Sequence, residues 1–225
     1  MSSELLRDTV RHVLSTQPPA NDRECCIALH DFVRDEIRFG FTTSFEAITP
    51  EETLQLKRGH CNAQADLFRA LLEEAGVKAR LRFVYIDKRI LRYAVPELIH
   101  LVLPRTLFHA VTQVSISNRW LNTDSYLFDV EGFGRQKERL ARSGLPVGFG
   151  LSESATCYWD GASNAFAQAE PHVLTADDQI FSSLREVSEA SAGNNTLLGI
   201  HFNTWLGCIP RPLRNAWDQY INSRL

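Results

Sequence analysis

The sequence predicts an α+β fold, with helices first, an antiparallel sheet next and helices last. Three observations lead there. Apolar residues recur at helical spacing up to Gly76, the pattern turns alternating and rich in β-formers between 77 and 127, and helix signals return after 130. The 225 residues are enough for one sizeable core, so a single domain over 1–225 is expected, with its core at about 22–130 and a mostly helical extension at about 131–225.

Residues 3–16 place Leu5, Leu6, Val10, Val13 and Leu14 on one helical stripe, and Pro18-Pro19 stops it. Asn21 can cap a second helix, with Glu24 three positions on and Cys26, Leu29, Val33 and Ile37 facing the core; it is expected to end near Phe39-Gly40. After a loop, Thr49-Pro50-Glu51-Glu52 opens a short third helix, closed by Lys57-Arg58-Gly59. A longer helix follows from Cys61 to Ala75, with Leu67, Leu71 and Leu72 inward and Gly76 as a left-handed stop.

Residues 77–87 alternate as a strand, and 88–106, punctuated by Pro96 and Pro104, are expected to be a loop with one helical turn. Residues 107–116 and 119–127 form a hairpin across Ser117-Asn118. A charged helix at 131–142, a Gly- and Ser-rich loop at 143–165, a helix from Thr175 to about Ala190 and a last helix after Pro212 complete the expectation.

The formal net charge of −3 and the lack of any basic stripe argue against a nucleic-acid partner. The N-terminal residues lack the basic start and apolar run of a secretory signal, and the most apolar stretch, 94–104, is too short to span a bilayer and carries Glu97 and His100. No membrane partner and a cytoplasmic location are therefore expected. The five cysteines form no CxxC pair, which speaks against a structural zinc site or a disulfide framework; no metal or cofactor is called for. Cys25, Cys26, Cys157 and Cys208 read as buried apolar filler.

Cys61 differs, because it opens a helix, where unpaired N–H groups and the macrodipole stabilise a thiolate. A thiol nucleophile also needs a base and a group to orient it. With Ser117-Asn118 as the turn, Ile116 pairs with Arg119 and Val111 with Asp124, which puts Asp124 diagonal to His109 on one sheet face. A carboxylate there holds one imidazole tautomer and stabilises imidazolium. Cys61, His109 and Asp124 are the candidate nucleophile, base and orienting acid, with Asp129 a rival for the last role.

These residues carry a resemblance. Gly59-His60-Cys61 entering Ala65-Asp66-Leu67-Phe68-Arg69-Ala70-Leu71-Leu72, then Ala75-Gly76, Ala79-Arg80, His109-Ala110, Trp120 and Asp124, resembles the transglutaminase-like superfamily over residues 45–130. The resemblance implies a papain-like α+β core in which the nucleophile helix packs on the antiparallel sheet, with the Cys61-His109-Asp124 triad. The chain order and the His–Asp spacing are also similar to arylamine N-acetyltransferases. Two departures stand out: His60 where many members carry an acidic residue, and Val111 where many carry an aromatic.

Neighbouring residues on a helix point about 100° apart, so His60 is poorly placed as the base; its side chain is read as a solvated loop group, with a substrate contact as the alternative. Gln55, at an offset similar to the oxyanion-hole glutamine of papain-like peptidases, is a second substrate-binding candidate, with the Cys61 N–H as the other oxyanion donor. Trp120 is read as core. The expected activity is thiol-dependent acyl transfer or hydrolysis at an amide or thioester carbonyl, through a thioester on Cys61. The substrate would be a peptide or other amide, or an acyl thioester. Transglutamination, a peptidase or amidase reaction and amide synthesis from a carrier thioester all fit the triad. A non-catalytic peptide-binding module is the competing class, with Phe149, Tyr158, Trp159 and Phe166 expected either to line a pocket or to plug one.

Overall fold

In the computed structural model the described residues are 4–193 except Gln17 and Thr43, and beyond them 196–197, 200–201, 204, 210 and 215. The apolar stripe of the first segment becomes α1 (Glu4–Thr16), which buries Leu6 and Val10. Asn21 caps α2 (Asp22–Glu36) by accepting from the Glu24 amide, so the first turn has a partner for one of its free donors. This helix stops before Phe39, because Arg38–Phe39 form β1.

Thr49 and Glu52 make a reciprocal capping box, and with Pro50 they start α3 (Pro50–Leu56). Lys57 ends it in the left-handed conformation, and β2 (Arg58–Gly59) then pairs parallel with β1. The helix that opens at Cys61, α4 (Cys61–Glu74), is buried at every position from Asn62 to Leu72. It lies between α1, α2 and α3 on one side and the sheet on the other. Gly76, at φ +82°, provides its left-handed stop, and the Val77 amide returns to the Leu72 carbonyl.

After β3 (Ala79–Asp87) the connection holds a 3-10 turn and the short α5 (Glu97–Val102). Its end is fastened by the Lys88 ammonium, which donates to the carbonyls of His100, Leu101 and Leu103. The hairpin of β4 (Thr106–Ile116) and β5 (Arg119–Thr123) has the expected register, Ile116 opposite Arg119, with Ser117 and Asn118 both at positive φ. β5 is four residues shorter than expected, since the chain turns away at Asp124.

Over its described residues the extension departs from a run of helices. α6 (Val130–Ser143) is present, capped by Asp129 through the Gly132 amide. The stretch to 183 is irregular, with the small hairpin of β6 (Val147–Gly148) and β7 (Leu151–Ser152) and then β8 (Gln179–Phe181). No helix starts at Thr175. Asp178 accepts from the Thr175 amide and hydroxyl and from Arg82, closing a turn that delivers β8 to the free edge of β3. A short α7 (Leu184–Glu189), capped by Ser183, follows. The last helix expected after Pro212 lies outside the described residues. Among the described residues the largest sheet is antiparallel, in the order β5-β4-β3-β8. Trp120 is not core: it is exposed, with the Arg80 guanidinium 4.1 Å above its ring.

Candidate active site

Cys61 owes its position to Gly59. A methyl group on Gly59 would lie 3.0 Å from Thr53 Cγ2 and 3.1 Å from Ala63 Cβ, so only glycine lets the backbone of β2 pass this close to α3 and α4. The chain then turns at His60, the N-cap, and Cys61 is the first helical residue. The first intrahelical bond runs from the Gln64 amide to the His60 carbonyl, so the amides of 61–63 precede the hydrogen-bonded ladder at the positive end of the dipole. Cys61 is partly exposed, while everything behind it is buried.

His109 and Asp124 are both buried, and His109 Nε2 donates to Asp124 Oδ2 at 2.7 Å. The Asp124 carboxylate is held by a nest of consecutive backbone amides. Oδ1 accepts from Ala167 N at 2.6 Å and Oδ2 from Ala169 N at 2.8 Å, with the Gln168 amide between them at 3.4 and 3.3 Å. The nest is docked by a parallel bridge between Thr123 and Ala165, where Asp124 N donates to the Ala165 carbonyl and Ala165 N to that of Asn122.

An ionised carboxylate only accepts, so Nε2 carries a proton and Nδ1 holds the lone pair of the neutral ring. Among the described residues Nδ1 has no geometric hydrogen bond. Burial disfavours the His109 imidazolium, yet the charge of neighbouring Cys61 and the Asp124 hydrogen bond outweigh it and raise the pKa to about 10.

Nothing in the sequence singles out Asn62, yet it joins Cys61 to the backbone on either side of His109. Its Oδ1 accepts from the Ala110 amide at 2.8 Å and from the Cys61 thiol at 3.5 Å. Its Nδ2 donates to the Phe108 carbonyl at 3.2 Å and to Glu46 Oε1 at 3.0 Å. No residue type sets it apart, because the same helix also buries Gln64, Asp66 and Arg69.

The structure places the two substrate-contact candidates differently. His60 is only 2% exposed, stacked on Phe45 at 4.6 Å and Phe41 at 6.2 Å rather than facing solvent. Among the described residues neither ring nitrogen has a partner, and burial, with the charge of His109, pushes its pKa down to about 3. Gln55 lies on the exposed side of α3, and no described hydrogen bond links it to Cys61. Asp129, occupied as the α6 cap, does not compete with Asp124. Cys25, Cys26 and Cys157 are buried, with burial raising their pKa, that of Cys26 to about 12; Cys208 lies outside the described residues. Trp159 and Phe166 are core residues, Phe149 stacks on Tyr93, and Tyr158 is exposed.

A second imidazole lies behind the first. His30 Nδ1 faces Asp31 Oδ1 at 2.9 Å and Nε2 faces Ser125 Oγ at 2.8 Å. The arrangement imitates a serine triad, but His30 and Ser125 are each 0% exposed, so no substrate reaches the hydroxyl. Burial lowers the His30 pKa, which suits a neutral ring fixed in the core.

Among the described residues no group of three or more His, Cys, Asp or Glu side chains is arranged to hold a metal ion, and no helix is long and apolar enough to cross a membrane. The family profile described as "Transglutaminase-like superfamily" matches residues 8–125. A search of the curated proteins finds no match. Among solved structures, a candidate cysteine protease from Cytophaga hutchinsonii is 16% identical with a TM-score of 0.41, over 54% of this chain and 38% of that one. A candidate protease from Parabacteroides distasonis is 10% identical with a TM-score of 0.36, over 52% of this chain and 22% of that one.

Proposed function

Since this chain belongs to the transglutaminase-like superfamily, we propose that it is a thiol-dependent enzyme acting at an amide or thioester carbonyl, with Cys61 as nucleophile, His109 as base and Asp124 as its orienting acid. The observation that carries this reading is the 2.7 Å His109–Asp124 bond, which leaves Nδ1 as the basic nitrogen of a ring beside the Cys61 thiol. Nδ1 takes the thiol proton, and the thiolate is stabilised by the α4 N-terminus. The sulfur attacks the carbonyl carbon, and the oxyanion is held by the Cys61 amide. The C–N or C–S bond of the donor breaks, His109 returns the proton to the departing amine or thiol, and a thioester remains on Cys61. Water or an amine then attacks the thioester, giving its proton to His109, and Cys61 is released as a thiol. The acceptor decides between hydrolysis and transfer.

The test is to offer the protein a panel of peptide amides, glutamine amides and acyl thioesters, with and without a primary amine, and to read intact mass. An acyl adduct on Cys61 that vanishes in Cys61→Ala and fails to form in His109→Ala supports the reading. A folded protein that forms no adduct, and whose Cys61 is inert to small alkylating agents from pH 5 to 9, would overturn it in favour of a non-catalytic binding module.

A further inference from the structure

We propose that Asn62 is the positioning residue of the candidate triad: its carboxamide replaces the strand pairing that ends at Thr123 and so fixes His109 against Cys61. The inference rests on the reading of Cys61 and His109 as nucleophile and base. In the β4–β5 ladder Ile116, Val114 and Thr112 face Arg119, Leu121 and Thr123. Backbone groups alternate along an antiparallel strand, so those of Ala110 and Phe108 point to the same edge. There β5 is gone, because Asp124 has turned into its nest. Asn62 fills the vacancy, accepting from the Ala110 amide and donating to the Phe108 carbonyl. One planar group thus brackets His109 on both sides and is rooted in the residue after Cys61.

The chemistry demands a carboxamide. The position needs an acceptor for Ala110 and donors for both Phe108 and Glu46 on a short, buried side chain. Asparagine imitates a peptide unit in this respect, whereas alanine offers nothing and aspartate sets a second carboxylate against Glu46 and the Phe108 carbonyl. Among the described residues the charged and titratable groups around the site are Cys61 from α4 and His60 as its cap, Glu46 from a 3-10 turn at Phe45–Ala47, His109 from β4, and Asp124 and Tyr126 beyond β5.

The experiment is site-resolved iodoacetamide labelling of Cys61 from pH 5 to 9, with NMR titration of the His109 ring from pH 5 to 11.5, in wild type, Asn62→Ala, Asn62→Asp and His109→Ala. Circular dichroism checks that each protein is folded. Labelling of Asn62→Ala at pH 6 is expected to fall at least tenfold, to the level of His109→Ala, and the His109 midpoint to drop by one pH unit or more. A folded Asn62→Ala with the wild-type labelling profile and midpoint overturns the proposal. Should that variant not fold, Asn62→Asp, which keeps the acceptor for Ala110, is read in the same two ways, and a wild-type profile and midpoint there overturn the proposal equally. If wild-type labelling shows no dependence on His109, the enzymatic reading fails, and the His109 midpoint alone decides the role of Asn62.

Discussion

His109 and Asp124 meet at 2.7 Å although no strand pairing joins them, since the β4–β5 ladder has already ended at Thr123. The contact is made by a carboxylate that has left the sheet and is held by the amides of 167–169. In Asp124→Asn an NH2 group would face either these donors or the imidazole N–H. The variant is expected to lose about 3 kcal/mol, the scale for breaking a buried pair. Because the His109 pKa is raised from 6.5 to about 10, its contribution is fully present below pH 6.5 and is lost as pH rises through about 10. Urea melts across that range should show the wild-type advantage shrinking; an advantage that does not change with pH would rule this account out.

His60 behaves with the opposite sign. Its folded pKa, about 3, lies below the ordinary 6.5, so the unfolded chain binds the proton first and stability is lost as pH falls between those values. The slope approaches about 1.4 kcal/mol per pH unit. His60→Phe keeps the stacking on Phe41 and Phe45 and removes two buried nitrogens that have no partner among the described residues. It should gain about 1–3 kcal/mol at pH 7 and show a flatter acid limb. Stability curves that run parallel from pH 7 to pH 4 would contradict this.

Ser125→Ala separates the two histidine clusters. It leaves His30 Nε2 without its partner at 2.8 Å and should cost about 1–3 kcal/mol. Cys61 labelling should stay within about twofold of wild type, because a buried hydroxyl takes no part in chemistry at the thiol. A large loss of thiol reactivity with the fold intact would show that the inner cluster feeds the outer one.

Gly59→Ala tests the approach of β2 to α3 and α4. The added methyl meets two side chains at 3.0 and 3.1 Å, and a destabilisation of about 1–3 kcal/mol is expected in thermal or urea unfolding. Wild-type stability would mean that the helices part without strain and that glycine is dispensable before Cys61.

The parts of the site readable from sequence are those set by local rules. A two-residue turn at Ser117-Asn118 fixes the register that brings Asp124 near His109, and Gly59 followed by an apolar stripe marks the start of α4. The unreadable parts depend on long-range contacts. The donors to Asp124 are backbone amides of 167–169, which any sequence without proline provides, so no side chain announces them. His60 reads as a solvated loop group because its stacking partners, Phe41 and Phe45, lie in a stretch with no periodicity. β8 is hidden because Thr175 and Asp178 have the spacing of a helix cap, and only Arg82, on another strand, turns them into a bend.

The amides that hold Asp124 come 43 to 45 residues after it in the chain. During synthesis, Cys61, His109 and Asp124 all emerge before the segment that locks the carboxylate, an interval of roughly 2–9 s at ordinary elongation rates. Over that interval the growing polypeptide carries the thiol and the imidazole without a fixed acid behind them. On the proposed reading, the acid that would orient His109 beside Cys61 is locked in place only once residue 169 has been made.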